Sequence, residues 1–211
     1  EATLKAMTET LGVAKEHCYL AATGVIGEPL ADPNYVGAFV PDLAAKLGPP
    51  DWEAATRAFM TTDTFAKGAG MSMDIDGHDV NFAGIVKGSG MIAPNMATML
   101  AYVFTDAAIA HDVLQELLEE ITNETFNAIT VDGDTSTSDT LMVFATGQSG
   151  MDPITSKDDP RLDSVAMALH SVCLELAQLV VKDGEGAQKF VTIQVDGAAS
   201  PMSAKIIAWE I

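Results

Sequence analysis

The chain has 211 residues, 48% of them hydrophobic, enough apolar side chain for a packed core. Thirty Asp and Glu against eleven Lys and Arg give a formal charge of -19, so a nucleic-acid backbone or an anionic membrane surface would be repelled almost everywhere. No apolar run is read as long enough to span a bilayer, and the N-terminus lacks a signal-peptide pattern, so a cytoplasmic protein without membrane or nucleic-acid partners is expected. Cys18 and Cys173 form no CxxC and join no histidine cluster, which predicts a reducing compartment, two buried thiols and no metal. His17 and Cys18 are adjacent, and adjacent residues on a strand face opposite ways, which argues against a thiol active site.

In chain order, residues 2–11 read as an amphipathic helix stopped by Gly12, and "CYLAATGVIG" as a short buried strand entering a glycine-rich turn. "NYVGAFVPDLAAKLG" reads as a helix split at Pro41 and ending at Gly48, and Asp51 as the N-cap of "WEAATRAFM". After the polar break "TTDT", apolar residues alternate around Asp76 and Gly77, a dipeptide that favours a type I′ hairpin turn. "MLAYVF" is continuously apolar, as in a strand covered on both faces. A helix over "AHDVLQELLEEIT" and a strand over "NAITV" lead into the loop "DGDTSTSD", and "TLMVFATG" is a further strand. From Leu162 to Val180 the apolar residues recur at i, i+3 and i+4, marking a long helix stopped by "DGEGAQ". "KFVTIQV" reads as a strand, and Ser200 with Pro201 as the cap and first turn of a last helix. Helices alternating with hairpins predict an α/β layered sandwich, helices packed on mixed or antiparallel sheet. The chain opens at Glu1 inside a helical pattern and stops at "SAKIIAWEI", as a piece of a longer protein would.

Thr98 stands at the mouth of the strand "MLAYVF", behind "KGSGMIAPNMA". An interior threonine hydroxyl is a poor nucleophile, whereas an N-terminal threonine carries its own base, an α-amine with a pKa of about 7.7 to 8.0. Thr98 gains that amine if its hydroxyl attacks the Ala97 carbonyl and water cleaves the resulting ester. Such a shift needs an unusual backbone and a small preceding residue, which Gly88, Gly90, Pro94, Asn95 and Ala97 supply. A surface loop ahead of an ordinary strand satisfies the same residues. "GSG" does not complete GxGxxG, and Asp132, Asp134 and Asp139 do not meet the EF-hand spacing, so Asx-turns shaping a loop are expected there.

"KGSGMIAPNMATML", "ATGVIGEPL", "MTTDT", "VDGDTSTSDT" and "KDGEGAQKF" resemble, in order and spacing, the motifs of the ornithine acetyltransferase (glutamate N-acetyltransferase) family of arginine biosynthesis. The resemblance covers nearly the whole chain. It implies self-cleavage between Ala97 and Thr98, separating residues 1–97, the end of an α chain, from 98–211, the start of a β chain, with a heterotetramer as the assembly. It makes Thr98 the nucleophile of a ping-pong transfer of acetyl from N2-acetylornithine to glutamate, needing no cofactor, with acetyl-CoA open as a second acetyl donor. It places Thr23 and Gly24 in an oxyanion hole and Thr61, Lys87, Thr98 and Glu185 in substrate binding. The family's fold is that of self-processing N-terminal-nucleophile enzymes, and a C-terminal asparagine and threonine that complete its pocket have no counterpart here. Two other readings of the residues are a self-processing aminopeptidase or amidase, with water as acceptor, and an acidic binding domain in which the Thr98 loop is structural.

Overall fold

The computed structural model describes residues 1–25, 27–93, 99–134 and 138–211. They form two compact units, Glu1–Trp52 and Glu53–Ile211.

In the first unit, α1 (Ala2–Leu11) ends as the sequence predicts: Gly12 takes a left-handed conformation, φ 67°, and its N–H returns to the Thr8 carbonyl. A 3-10 turn, Gly37–Phe39, runs into α2 (Val40–Ala45), with Pro41 in the first turn, where its missing N–H costs nothing. Gly37 packs on α1 so closely that a Cβ there would lie 3.3 Å from the Ala6 Cβ. The expected strand from Cys18 does not form. Its described residues are irregular, with Tyr19 61% and Val25 73% exposed, because no ladder partner lies beside them among the described residues. Cys18 is half-buried rather than buried.

α3 (Trp52–Phe59) forms where the sequence reads a helix, and the second unit is built on a four-stranded sheet whose strands lie side by side in sequence order. β1 (Lys67–Ile75) and β2 (His78–Lys87) pair over their whole length around Asp76 and Gly77, both at positive φ (55° and 81°) as the type I′ turn demands. β3 (Leu100–Thr105) pairs antiparallel with β2 and parallel with β4 (Thr140–Ala145), and α4 (His111–Glu124) lies in the crossover between β3 and β4. This is an α/β fold with a mixed sheet, as expected. α5 (Leu162–Lys182) packs on β1 and β2 and buries Val165, Leu169, Val172, Leu176 and Val180. Length and composition alone would let α5 cross a membrane, contrary to the sequence reading, but here its apolar stripe is spent on the sheet.

Gly84, in mid-β2, is what lets α5 approach: an added Cβ would stand 2.7 Å from Leu176 Cδ1 and 3.1 Å from Val103 Cγ2. Gly84→Ala is therefore expected to cost about 1–3 kcal/mol through overpacking, read as a lower urea midpoint.

Two further expected strands are absent. "NAITV" becomes a 3-10 turn, Phe126–Ala128, followed by isolated bridges from Val131 and Asp132 to Ile92. "KFVTIQV" is irregular, with Phe190, Val191 and Ile193 exposed. α6 (Pro201–Glu210) forms as read, with Ser200 Oγ accepting the Ser203 N–H at 3.1 Å.

Candidate active site

The register of the sheet gathers the chemistry at one end. Lys87, the last residue of β2, is level with Leu100 at the start of β3, and Leu100 is level with Thr140 at the start of β4. Lys67 opens β1 one position away, opposite Val86. The segments 61–64, 88–91, Met99 and Asp139 thus all enter or leave the sheet at this end.

Two of these segments, 61–64 and 88–91, are tied to Lys67 of β1 and to Asp183 at the end of α5 by a buried charge cluster. The Lys67 ammonium, fully buried, bridges Asp63 Oδ1 and Asp183 Oδ2, each at 2.5 Å. Asp63 also accepts the N–H of Gly88 at 2.7 Å and of Thr61 at 3.1 Å, and Asp183 accepts the N–H and hydroxyl of Thr64. Burial pushes the Asp63 carboxyl up, but the Gly88 N–H, Lys67 and the Thr61 N–H outweigh it and hold it below the usual carboxylate range. The cluster is completed by Thr62 Oγ1 against Ser89 Oγ at 2.7 Å and by the Glu185 N–H on the Ser89 carbonyl at 2.7 Å.

This clasp sets out three of the residues expected to bind substrate. Lys87 is 2% exposed at the end of β2, and its Nζ donates to Thr61 Oγ1 at 3.2 Å. Among the described residues it makes no salt bridge. Burial pulls its ammonium below the ordinary lysine value, the Lys67 charge acts the same way, and Asp63 and Asp139 act against them. Glu185 is exposed beside Gly90, where a Cβ would come 3.1 Å from Glu185 Oε1 and 3.3 Å from Asp132 Oδ2, so the chain there admits glycine alone without a shift. Thr61, Lys87 and Glu185 are thus attached to one hydrogen-bonded framework. A buried ammonium with a hydroxyl partner is suited to a carboxylate, and an exposed carboxylate nearby to an ammonium.

Two aspartates of "DGDTSTSD" reach outside their own loop. Asp132 Oδ2 accepts the Met91 N–H at 3.0 Å and Asp139 Oδ1 the Met99 N–H at 2.9 Å, so they fasten the segment before Thr98 and the residue after it. Burial pushes the Asp139 carboxyl up to about 6, although the Met99 N–H and the Lys87 charge pull the other way. A folded-state value above the unfolded one, about 3.9, means the fold favours the protonated form. The group's contribution to stability is present below pH 4 and lost as pH rises through about 6. Asp139→Asn should then melt higher than the parent at pH 8 and at the same temperature at pH 4, measured by calorimetry.

Thr23, half-buried, and Gly24 lie in the irregular part of the first unit. Ala97 and Thr98 lie outside the described residues. Cys173 is buried in α5, its thiol pushed up to about 12 by burial, and offers no thiolate near neutral pH. The sequence reading missed Asp63, Lys67 and Asp183 as a unit. Asp63 stood inside "TTDT" and Asp183 inside "KDGEGAQKF", but nothing in the sequence joined them to Lys67, since the partners are 4 and 116–119 residues apart along the chain.

The buried Lys87 ammonium and the Thr61 hydroxyl thus stand together at one end of an α/β sheet. The ArgJ family model matches residues 1–211, and the chain belongs to that family. It is 52% identical over 202 residues to the arginine biosynthesis bifunctional protein ArgJ of Ruegeria pomeroyi, covering 96% of this chain and 48% of that protein. Its identity to the protein of that name from Caulobacter vibrioides is 56% over 189 residues, 90% of this chain and 47% of the relative. The crystal structure of the Bacillus halodurans arginine biosynthesis bifunctional protein argJ aligns with a TM-score of 0.50 at 44% identity, over 52% of this chain and 51% of that one. The chain spans about half the length of the curated relatives it matches.

Proposed function

We propose that this chain carries the nucleophile and part of the substrate pocket of a glutamate N-acetyltransferase acting in arginine biosynthesis. Thr98, freed by cleavage of the Ala97–Thr98 bond, attacks the acetyl carbonyl of N2-acetylornithine while its α-amine takes the hydroxyl proton. Ornithine leaves with that proton, and glutamate then accepts the acetyl group from the threonine ester. Thr23 and the Gly24 N–H face the developing oxyanion, where one lost donor costs about 3–4 kcal/mol of barrier. The observation that carries this reading is Lys87: a buried ammonium bonded to Thr61 Oγ1, in a chain of charge -19, waits for a carboxylate such as both substrates present. Glu185 faces the side-chain ammonium group of the ornithine substrate. The pieces 1–97 and 98–211 stay associated, as parts of the α and β chains of a heterotetramer.

The test uses the complete protein. Intact mass should show two chains, the second beginning at Thr98, and N2-acetylornithine with labelled glutamate should give labelled N-acetylglutamate. Acetyl release without that product indicates an aminopeptidase or amidase, and a whole chain with no acetyl adduct indicates a binding domain. Substituting acetyl-CoA for N2-acetylornithine reads whether it is a second donor, as the relatives' name, bifunctional, invites one to ask. Lys87→Met should raise KM for both substrates about 10- to 100-fold, the worth of a hydrogen bond to a charged group.

A further inference from the structure

The Lys87 ammonium and the Thr61 hydroxyl that it meets come from segments 26 residues apart, and one buried carboxylate holds both segments. Asp63 Oδ2 accepts the Thr61 N–H at 3.1 Å, and Asp63 Oδ1 accepts the N–H of Gly88, the residue after Lys87, at 2.7 Å. A single side chain therefore sets where each partner of the pair leaves its backbone.

The charge of Asp63 is spent elsewhere. Lys67 Nζ lies 2.5 Å from Asp63 Oδ1 and 2.5 Å from Asp183 Oδ2, so both carboxylates of the cluster are paired with the same cation. Lys87 is a second buried cation, and it ion-pairs with no carboxylate among the described residues, which include every Asp and Glu of the chain. Had Asp63 paired with Lys87 instead, an incoming carboxylate would have to displace it.

We propose that Asp63 is a positioning residue of the carboxylate site, and that Lys67, by engaging Asp63, leaves the Lys87 charge for the substrate. The inference rests on the acetyltransferase reading above. The charges around Lys87 follow the same division. Burial pulls its ammonium down, Asp63 ahead of β1 acts against this, Lys67 on β1 adds to it, and Asp139 at the start of β4 opposes it. Removing the Asp63 charge therefore lowers the pH at which Lys87 gives up its proton, and removing the Lys67 charge raises it.

The test follows acetyl transfer by the complete protein from N2-acetylornithine to glutamate between pH 6 and 9.5. Asp63→Asn has one oxygen for the two N–H groups, and should raise KM for both substrates about 10-fold with kcat within about threefold, the pattern of binding lost equally from ground and transition states. N2-acetylornithinamide, in which a carboxamide replaces the carboxylate, should show the same KM with Asp63→Asn as with the parent. The alkaline rise in KM should begin at lower pH in Asp63→Asn and at higher pH in Lys67→Met. A packing defect moves both variants the same way, and Leu117→Ala, which loosens the core through α4, gives the size of that effect. Melting temperatures show which variants are folded, and the displacement in Lys67→Met decides if Asp63→Asn is not. A folded Asp63→Asn with the parent's KM, a KM raised equally for the carboxamide, or alkaline limbs displaced in one direction overturns the proposal. Wild-type protein that transfers no acetyl, or Lys87→Met that keeps the parent's KM, overturns the acetyltransferase reading instead, so the two failures are separately visible.

Discussion

Lys67→Met is expected to destabilise the second unit by about 3–5 kcal/mol, a large part of the 5–15 kcal/mol that holds a typical domain together. The reason is what remains behind. Asp63 and Asp183, with side chains 0% and 2% exposed, would face each other without the cation that joins them. Methionine fills the volume but supplies no hydrogen, so each carboxylate must be protonated or rehydrated at the expense of packing. The triple variant Lys67→Met, Asp63→Asn, Asp183→Asn should recover part of the loss, because it removes the stranded charges, although an asparagine in place of Asp63 has one oxygen for the Gly88 and Thr61 N–H groups that now bond separate oxygens. Urea unfolding of the three proteins checks this, and a triple variant no better than the single one would sink it. The parent should also weaken in acid. The Asp63 carboxyl is held below its usual range, so its contribution is present above the unfolded value, about 3.9, and is lost as pH falls toward the folded one.

Thr98→Ala in the complete protein should remain one chain and lose acetyl transfer by a factor on the order of 10⁵ or more, the scale on which a deleted nucleophile fails. On the proposed mechanism two events are lost together, the cut that frees the amine and the hydroxyl that the amine would activate. Thr98→Ser separates them from a mere packing defect: it keeps the hydroxyl, and should be cleaved and form an acetyl ester detectable by mass. Equal failure of the serine and alanine variants would point instead to the threonine methyl group, and the ester mechanism would fall.

Elements with a strong local cause were legible in the sequence. The Asp76–Gly77 turn, the Gly12 stop, the Ser200–Pro201 cap and the stripe of α5 each rest on chemistry within a few residues, and all four are present. The strands expected over Cys18–Gly27, "NAITV" and "KFVTIQV" are not, since a strand is completed by its neighbour and apolar alternation does not say whether one is there. The site was legible only in part. Thr61 and Lys87 came from motifs, and their 3.2 Å contact joins positions 26 residues apart.

By itself, the sequence determined the class of fold, the hairpin and long helix that frame it, and the family whose motifs surround Thr98. Tertiary structure alone decided which charges are buried and with whom. Lys67, Lys87, Asp63, Asp139 and Asp183 look like ordinary solvated residues in a strongly acidic chain. Strand register and the packing of α5 on β1 and β2 bring them to one end of the sheet and exclude water. Only there do these charges act on one another out of water, because the energy of a charge is set by its surroundings rather than by its place in the chain.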